Sequence, residues 1–361
     1  MRGWHLAGRV AALAVTGALA AGCAVGPAAD RARQEAPPAL PAPTDVPAPP
    51  VPGDGAPGET APGPSPAPAT GDATETGTEA TGLGTACCVA GLPDSEDLLV
   101  GAGDTVLLHD ADAPGELAEV GTVPGRLLGL AVPPRATGSY VNVVAYYAGP
   151  AGGEIASFRF YPDRAWQSWG GTPVPLLDDP IPLAGGGERG GGVLAFGPDG
   201  MLYAGTGDAG DPALAADETS LAGKILRIDP NGSQPPVMHS PGAYTDVRGL
   251  AWDGDRMWAV DAVDGGGARL YSVVPEGQPV PVWEEPGAAP AGLAAARGSL
   301  WMPAGEEDGS LWRVPLNGGT GLVADPRPVL DVRGPRGIFP APGDGVLRLL
   351  AGDALTRLGV S

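Results

Sequence analysis

Positive charge is scarce in this sequence. The 361-residue chain has 21 lysines and arginines against 42 aspartates and glutamates, a formal net charge of −21. Such an acidic surface repels phosphate backbones and anionic lipid, which excludes nucleic acid as a partner and leaves solubility as the plain role of the charge. Cysteine is equally sparse, with three in the chain, and no fourth ligand lies near enough to make a zinc site. Past the N-terminal region only His109 and His239 remain as imidazoles. Long apolar runs are missing too: the one at residues 10–19 is too short to span a bilayer.

That short run has a different use. Arg2 and Arg9 flank it on the N-terminal side and Ala20-Ala21-Gly22-Cys23 follows it, the layout of a secretory signal. The small residues ending in Gly22-Cys23 resemble the lipobox of bacterial lipoproteins. That implies a signal peptide over 1–22, Cys23 as the lipidated N-terminus, and an exported protein anchored on the outer side of the cell membrane. Ordinary cleavage after Ala20 is the alternative. Residues 23–84 are Pro, Ala, Gly, Thr and acid with almost no aromatic or β-branched core former. Such a composition does not bury enough apolar surface to offset ordering entropy, so a disordered tether is expected. Cys87 and Cys88 remain as a pair. Their Cα atoms are held about 3.8 Å apart across a trans peptide, so a bond between them would close a strained, reducible ring. Two small packed side chains and a vicinal disulfide are both open.

Residues 85–361 carry the fold, and the stretch 189–232 shows how. Leu194-Ala195-Phe196 runs into Gly197-Pro198-Asp199-Gly200, where proline presets φ and glycine closes a hairpin. Met201 to Ala204 return, and after an Asp-rich loop Lys224-Ile225-Leu226-Arg227-Ile228 alternates before a second turn at Asp229-Pro230-Asn231-Gly232. The unit recurs at Gly249-Leu250-Ala251, Gly292-Leu293-Ala294 and Gly337-Ile338-Phe339, and more faintly at Gly91-Leu92-Pro93 and Gly129-Leu130-Ala131. Six antiparallel sheets that cannot each bury both faces are stacked most simply in a ring. The prediction is all-β, a six-bladed β-propeller in preference to seven blades or a sandwich, and a monomer. Trp252, Trp258, Trp301 and Trp312 fall at strand positions and are expected to pack blades. Trp166 and Trp169, in a loop, are candidates for an exposed contact.

Gly191-Gly192-Val193-Leu194-Ala195-Phe196-Gly197-Pro198-Asp199-Gly200, Tyr203-Ala204-Gly205-Thr206-Gly207-Asp208 and Leu221-Ala222-Gly223-Lys224-Ile225-Leu226-Arg227 together resemble the glucose/sorbosone dehydrogenase family. The resemblance implies a six-bladed propeller and oxidation of aldoses by hydride transfer to pyrroloquinoline quinone (PQQ), held with calcium above the axis. In that family a histidine takes the sugar's proton and an aspartate orients it. The aspartate corresponds to Asp208, but the histidine corresponds to Arg189, whose guanidinium has no lone pair to offer at neutral pH. The family's glutamine and arginine fall on Pro124 and Thr245. Its acidic calcium segment meets Ala268 and Arg269, and its quinone-gripping arginines meet Pro328 and Leu330.

Two readings from different classes follow. One is a non-catalytic envelope protein in which Arg189, Arg248 and Asp208 line the axial mouth and take a sugar or an anionic small molecule, with no metal site. The other is an active PQQ-dependent sugar dehydrogenase with a rearranged site, in which PQQ and calcium are retained. A scaffold for another envelope protein has no positive sign in the sequence.

Overall fold

The computed structural model describes residues 65–68, 70–113, 115–135, 139–162, 169–343 and 345–361. Cys23, the expected signal peptide and Trp166 lie outside the described residues, while Trp169 opens the strand Trp169–Pro175. Among the described residues the strands form six four-stranded antiparallel sheets, each made of strands consecutive in sequence except the last. The first strands of the sheets are Ala86–Gly91, Arg126–Ala131, Leu194–Phe196, Val247–Asp253, Ala294–Ala296 and Pro335–Pro340. Each touches the first strand of the next sheet, and the last touches the first. The ring is therefore closed, and the chain is a six-bladed β-propeller, as the repeats predicted.

Blade 3 shows why these residues make a blade. The Gly197 N–H donates to Met201 O and the Gly200 N–H to Gly197 O, both at 2.9 Å, with Gly200 at φ +76° supplying the left-handed residue the turn needs. Asp199 then ties the turn to the third strand, taking Arg227 Nη2 at 2.9 Å and Met201 N–H at 3.1 Å. The loop between the second and third strands carries the short helix Pro212–Ala216, capped by Asp211 accepting from Ala213 N–H. Lys224 is buried beneath that loop with its ammonium on the carbonyls of Ala215 and Ala222.

The boundary expected at residue 85 moves outward. The strand Ala73–Ala80 pairs antiparallel with Ala354–Val360, Ala73 opposite Val360, and supplies the outermost strand of blade 6. Its sequence, ATETGTEA, has the polar, Gly-containing composition of a tether, because an outermost strand buries little: only Ala73 and Ala80 are buried. Arg348 fastens the seam, donating to Glu79 of that strand at 2.7 Å and to Glu96 of blade 1 at 3.1 Å. His109 Nε2 meets the Glu79 carbonyl at 2.9 Å.

The core lies between blades. Trp258 and Trp301 are fully buried, and Trp312 packs against Trp283 with ring centres 5.4 Å apart. Trp252 departs from pure packing: one face meets Tyr203, yet the residue also lines the axial cavity. At the hub, Gly129, Gly192, Gly249, Gly292 and Gly337 occupy one repeated position of the inner segments, where adjacent backbones almost touch. A Cβ on Gly249 would stand 2.5 Å from Leu293 N, and one on Gly129 would run into Gly192 O. In blade 1 the same position is Cys88, and Gly91, the glycine of the copy read from sequence, instead ends that inner strand.

Candidate functional site

A cavity of about 940 Å³ runs along the axis, from Gly191, Arg248 and Arg336 at one end to Pro134, Trp252 and Pro342 at the other. Between them it is walled by repeated aliphatic positions, among them Val89, Leu130, Leu250, Leu293 and Ile338. Asp94, Glu96 and Arg348 line the far end, and the first end, where the inner strands begin, is where the charged residues named from sequence collect.

Arg189 and Asp208 meet there. Arg189 precedes the inner strand of blade 3, and Asp208 opens the loop between that blade's second and third strands. The Asp208 side chain is 3% exposed and that of Arg189 32%. Arg189 forks the carboxylate, its Nε donating to Oδ1 at 2.7 Å and its Nη2 to Oδ2, the bidentate geometry in which guanidinium and carboxylate bind most strongly. Nη1 donates to Asp264 of blade 4 at 2.5 Å. Asp208 and then Asp264 hold the Arg189 pKa above its already high ordinary value. The backbone of Arg189 is left-handed, φ +50°, and its carbonyl accepts from Ala209 N–H at 3.2 Å. A non-glycine residue there is strained, and such strain gathers at sites where geometry is imposed.

A second pair adjoins the first. Arg248, at the start of the blade 4 inner strand, donates from Nε to Asp246 at 2.8 Å and approaches it through Nη2 at 2.5 Å. Asp246 also accepts the Gly191 N–H at 2.8 Å, which links it to the segment carrying Arg189. Asp261, buried behind, accepts the backbone N–H groups of Asp246 at 2.6 Å and Thr245 at 3.0 Å. Burial raises both carboxyls: Asp246 upward from its ordinary value against the pull of Arg248, and Asp261 to about 6. Tyr146, buried in blade 2, donates to Gly190 O at 2.8 Å and fixes the turn from below.

Of the three residues named from sequence, Arg189 and Asp208 are joined directly, and Arg248 reaches them through Asp246 and Gly191. Arg248 lines the cavity itself, whereas the Arg189–Asp208 pair stands at its rim beside Gly191. The side-chain partners of Asp208 are Arg189 and the Gly210 N–H, the latter at 2.8 Å. His239 packs edge-on against Tyr203 at 4.9 Å on an outer strand, and His109 lies at the blade 1–blade 6 seam. Thr245 faces the site through its backbone, its carbonyl accepting from Asp208 N–H at 2.9 Å. Pro328 and Leu330 lie on the outermost strand of blade 5, opposite Trp312 and Leu311. Arg348 of the last blade also lines the cavity, toward its far end, but the last-blade cation at the mouth is Arg336, which sequence reasoning missed, as it missed Asp246, Asp261 and Asp264. Arg248-Gly249 and Arg336-Gly337 are the signal that could have found it, an arginine before the hub glycine in two repeats.

A closed six-bladed ring with a charged mouth at the start of its inner strands defines the class. The glucose/sorbosone dehydrogenase family model matches residues 175–262, which hold Arg189, Asp208, Asp246, Arg248 and Asp261. An aldose sugar dehydrogenase from Streptomyces coelicolor, solved with PQQ bound, is 32% identical, with 82% of this chain and 100% of that one covered and a TM-score of 0.73. A putative oxidoreductase (glucose dehydrogenase) from Thermus thermophilus is 25% identical over 80% of this chain and 100% of its own, TM-score 0.64. The soluble aldose sugar dehydrogenase of Escherichia coli, at 17% identity, 81% and 99% coverage and TM-score 0.61, shares the fold. The chain belongs to the glucose/sorbosone dehydrogenase family.

Proposed function

We propose that this member of the family is an exported, lipid-anchored propeller that binds a neutral polyhydroxylated ligand, a saccharide, at the axial mouth without oxidising it. The observation that carries the reading is the Arg189–Asp208 fork. An aspartate that would orient a proton acceptor is instead neutralised by a group that stays protonated throughout the physiological range, so the position the family gives its base holds no proton acceptor. Alternating carboxylates and guanidiniums suit hydroxyl groups, which donate to one and accept from the other.

The same charges argue against the family's quinone and against anionic ligands generally. Arg189 and Arg248 are each engaged by aspartate, and Arg336 Nη1 by the carbonyls of Leu83, Gly84 and Gly352. Asp208, Asp246, Asp261 and Asp264 make the cluster acidic on balance. The charge that would take a quinone's carboxylates is thus largely offset, and the residues present do not fit that group. Export and anchoring rest on the N-terminal sequence alone.

The second reading, a working PQQ-dependent aldose dehydrogenase, draws on the full-length similarity to the PQQ-bound Streptomyces coelicolor enzyme. One experiment separates them. The protein, supplied with PQQ, calcium and a dye acceptor, is expected to bind saccharides by calorimetry and to leave the dye unreduced. Sugar-dependent dye reduction would overturn the non-catalytic reading. Arg189→Ala, which strips Asp208 of its partner, is expected to weaken saccharide binding by about tenfold, or ~1.4 kcal/mol.

A further inference from the structure

Cys87 and Cys88 are joined as a vicinal disulfide, and both line the axial cavity. We propose that this pair is a thiol-exchange site reached from the cavity mouth, with Cys87 as the sulfur that an external thiol attacks.

Repeat geometry places it. The inner strands of blades 1, 2, 4 and 6 share a bulge at their mouth end, between Ala86 and Cys88, Leu127 and Gly129, Val247 and Gly249, and Pro335 and Gly337. The bulged residues are Cys87, Leu128, Arg248 and Arg336, and all four line the cavity. Cys87 thus belongs to the ring of residues that holds the two axial arginines. Cys88 holds the hub position that is glycine in the other five blades. It is buried beside Leu127 and Leu130, and a Cβ on Gly101 would meet its Sγ at 2.6 Å. The two sulfurs of one bond therefore have different surroundings: Cys87 is half-buried at the mouth and Cys88 is enclosed between blades 1 and 2.

A cation is held on the turn that leads to Cys87. Arg336 Nη1 donates to Leu83 O at 3.0 Å and to Gly84 O at 2.6 Å. Ala86 N–H reaches the same Leu83 carbonyl at 2.9 Å. The guanidinium is anchored on the turn that delivers Cys87, where it favours thiolate over thiol once the bond is opened.

The exchange balances with a dithiol as co-reactant. A thiolate of the dithiol attacks Cys87 Sγ, the Cys87–Cys88 bond breaks, and Cys88 leaves with the electron pair and takes a proton. The second thiol of the reagent then attacks its own sulfur in the mixed disulfide. Cys87 is released, and the reagent departs as its disulfide with two electrons transferred to the protein.

The test uses the full chain without denaturant. Trypsin leaves residues 34–126 as one fragment, because no lysine or arginine lies between Arg33 and Arg126, so Cys87 and Cys88 are read apart from Cys23. After native incubation with dithiothreitol and then iodoacetamide, that fragment is expected to carry two added groups, and none when dithiothreitol is omitted. Alkylation that requires unfolding would overturn the proposal, as would alkylation without reduction. Single-cysteine variants check the asymmetry. Cys88→Gly, which installs the residue found at this position in the other blades, is expected to leave Cys87 reacting at least about tenfold faster than Cys88 reacts in Cys87→Ser. Equal rates, or the reverse order, would overturn the assignment of Cys87 as the attacked sulfur.

Discussion

At the residue scale the site is governed by how deeply its carboxylates are buried. Asp261 accepts two backbone N–H groups yet lies buried next to Asp246, and desolvation prevails, lifting its pKa to about 6. An unfolded aspartate titrates near 3.9, so between roughly pH 4 and 6 the native state holds the extra proton at this position. Stability from Asp261 is therefore fully present below about pH 4 and is lost as pH rises through about 6. Asp261→Asn removes the titration. The loss in stability on passing from pH 4.5 to 6.5, measured from urea midpoints, is expected to be smaller in the variant than in the wild type. An unchanged or larger loss would show that Asp261 titrates normally in the fold. The substitution also replaces one acceptor facing a backbone N–H, and a uniform cost of about 1–2 kcal/mol accompanies it at all pH values.

Elements were legible in the sequence where they repeat. The glycine before a Leu-Ala or Ile-Phe step marks the hub in four blades, at Gly129, Gly249, Gly292 and Gly337, since backbone crowding there admits no Cβ between Gly249 and Leu293, and that recurrence gave the ring away. Blade closure was hidden. Ala73–Ala80 buries only its two end residues, so its sequence is free to look like a tether. The charged site was legible only in part. Arg189 and Asp208 stood out because a family motif frames them, whereas Asp264 lies in a glycine-rich turn and Asp246 and Asp261 meet from different segments of blade 4. Closure by a strand from the N-terminal side makes a definite claim. A chain beginning at residue 65 is expected to unfold in one cooperative transition. A chain beginning at 85 leaves Ala354–Val360 unpaired on one edge and Arg348 without Glu79, and is expected to aggregate or lose at least about 3 kcal/mol. Equal denaturant midpoints for the two would show that the outer strand contributes nothing to closure.

On the scale of the whole molecule, charge sets which saccharide the proposed site at the mouth is expected to take. The chain's net −21 sets up a repulsive field for anions, while the arginines of the mouth are paired internally and present little net positive potential. Exposed charges are screened beyond about 8 Å at physiological ionic strength, so salt acts on the long-range field and leaves the hydrogen bonds of the Arg189–Asp208 and Arg248–Asp246 pairs largely alone. A neutral oligosaccharide is then expected to bind with a Kd that changes less than about twofold between 50 and 500 mM sodium chloride. A uronate-containing saccharide of the same length feels the repulsion at low salt and is expected to bind several-fold more tightly as salt is raised. Weakening of the uronate by salt would mean that attraction dominates. The arginines of the mouth would then act as an anion site in spite of their aspartate partners, and recognition of a neutral sugar would have to be abandoned.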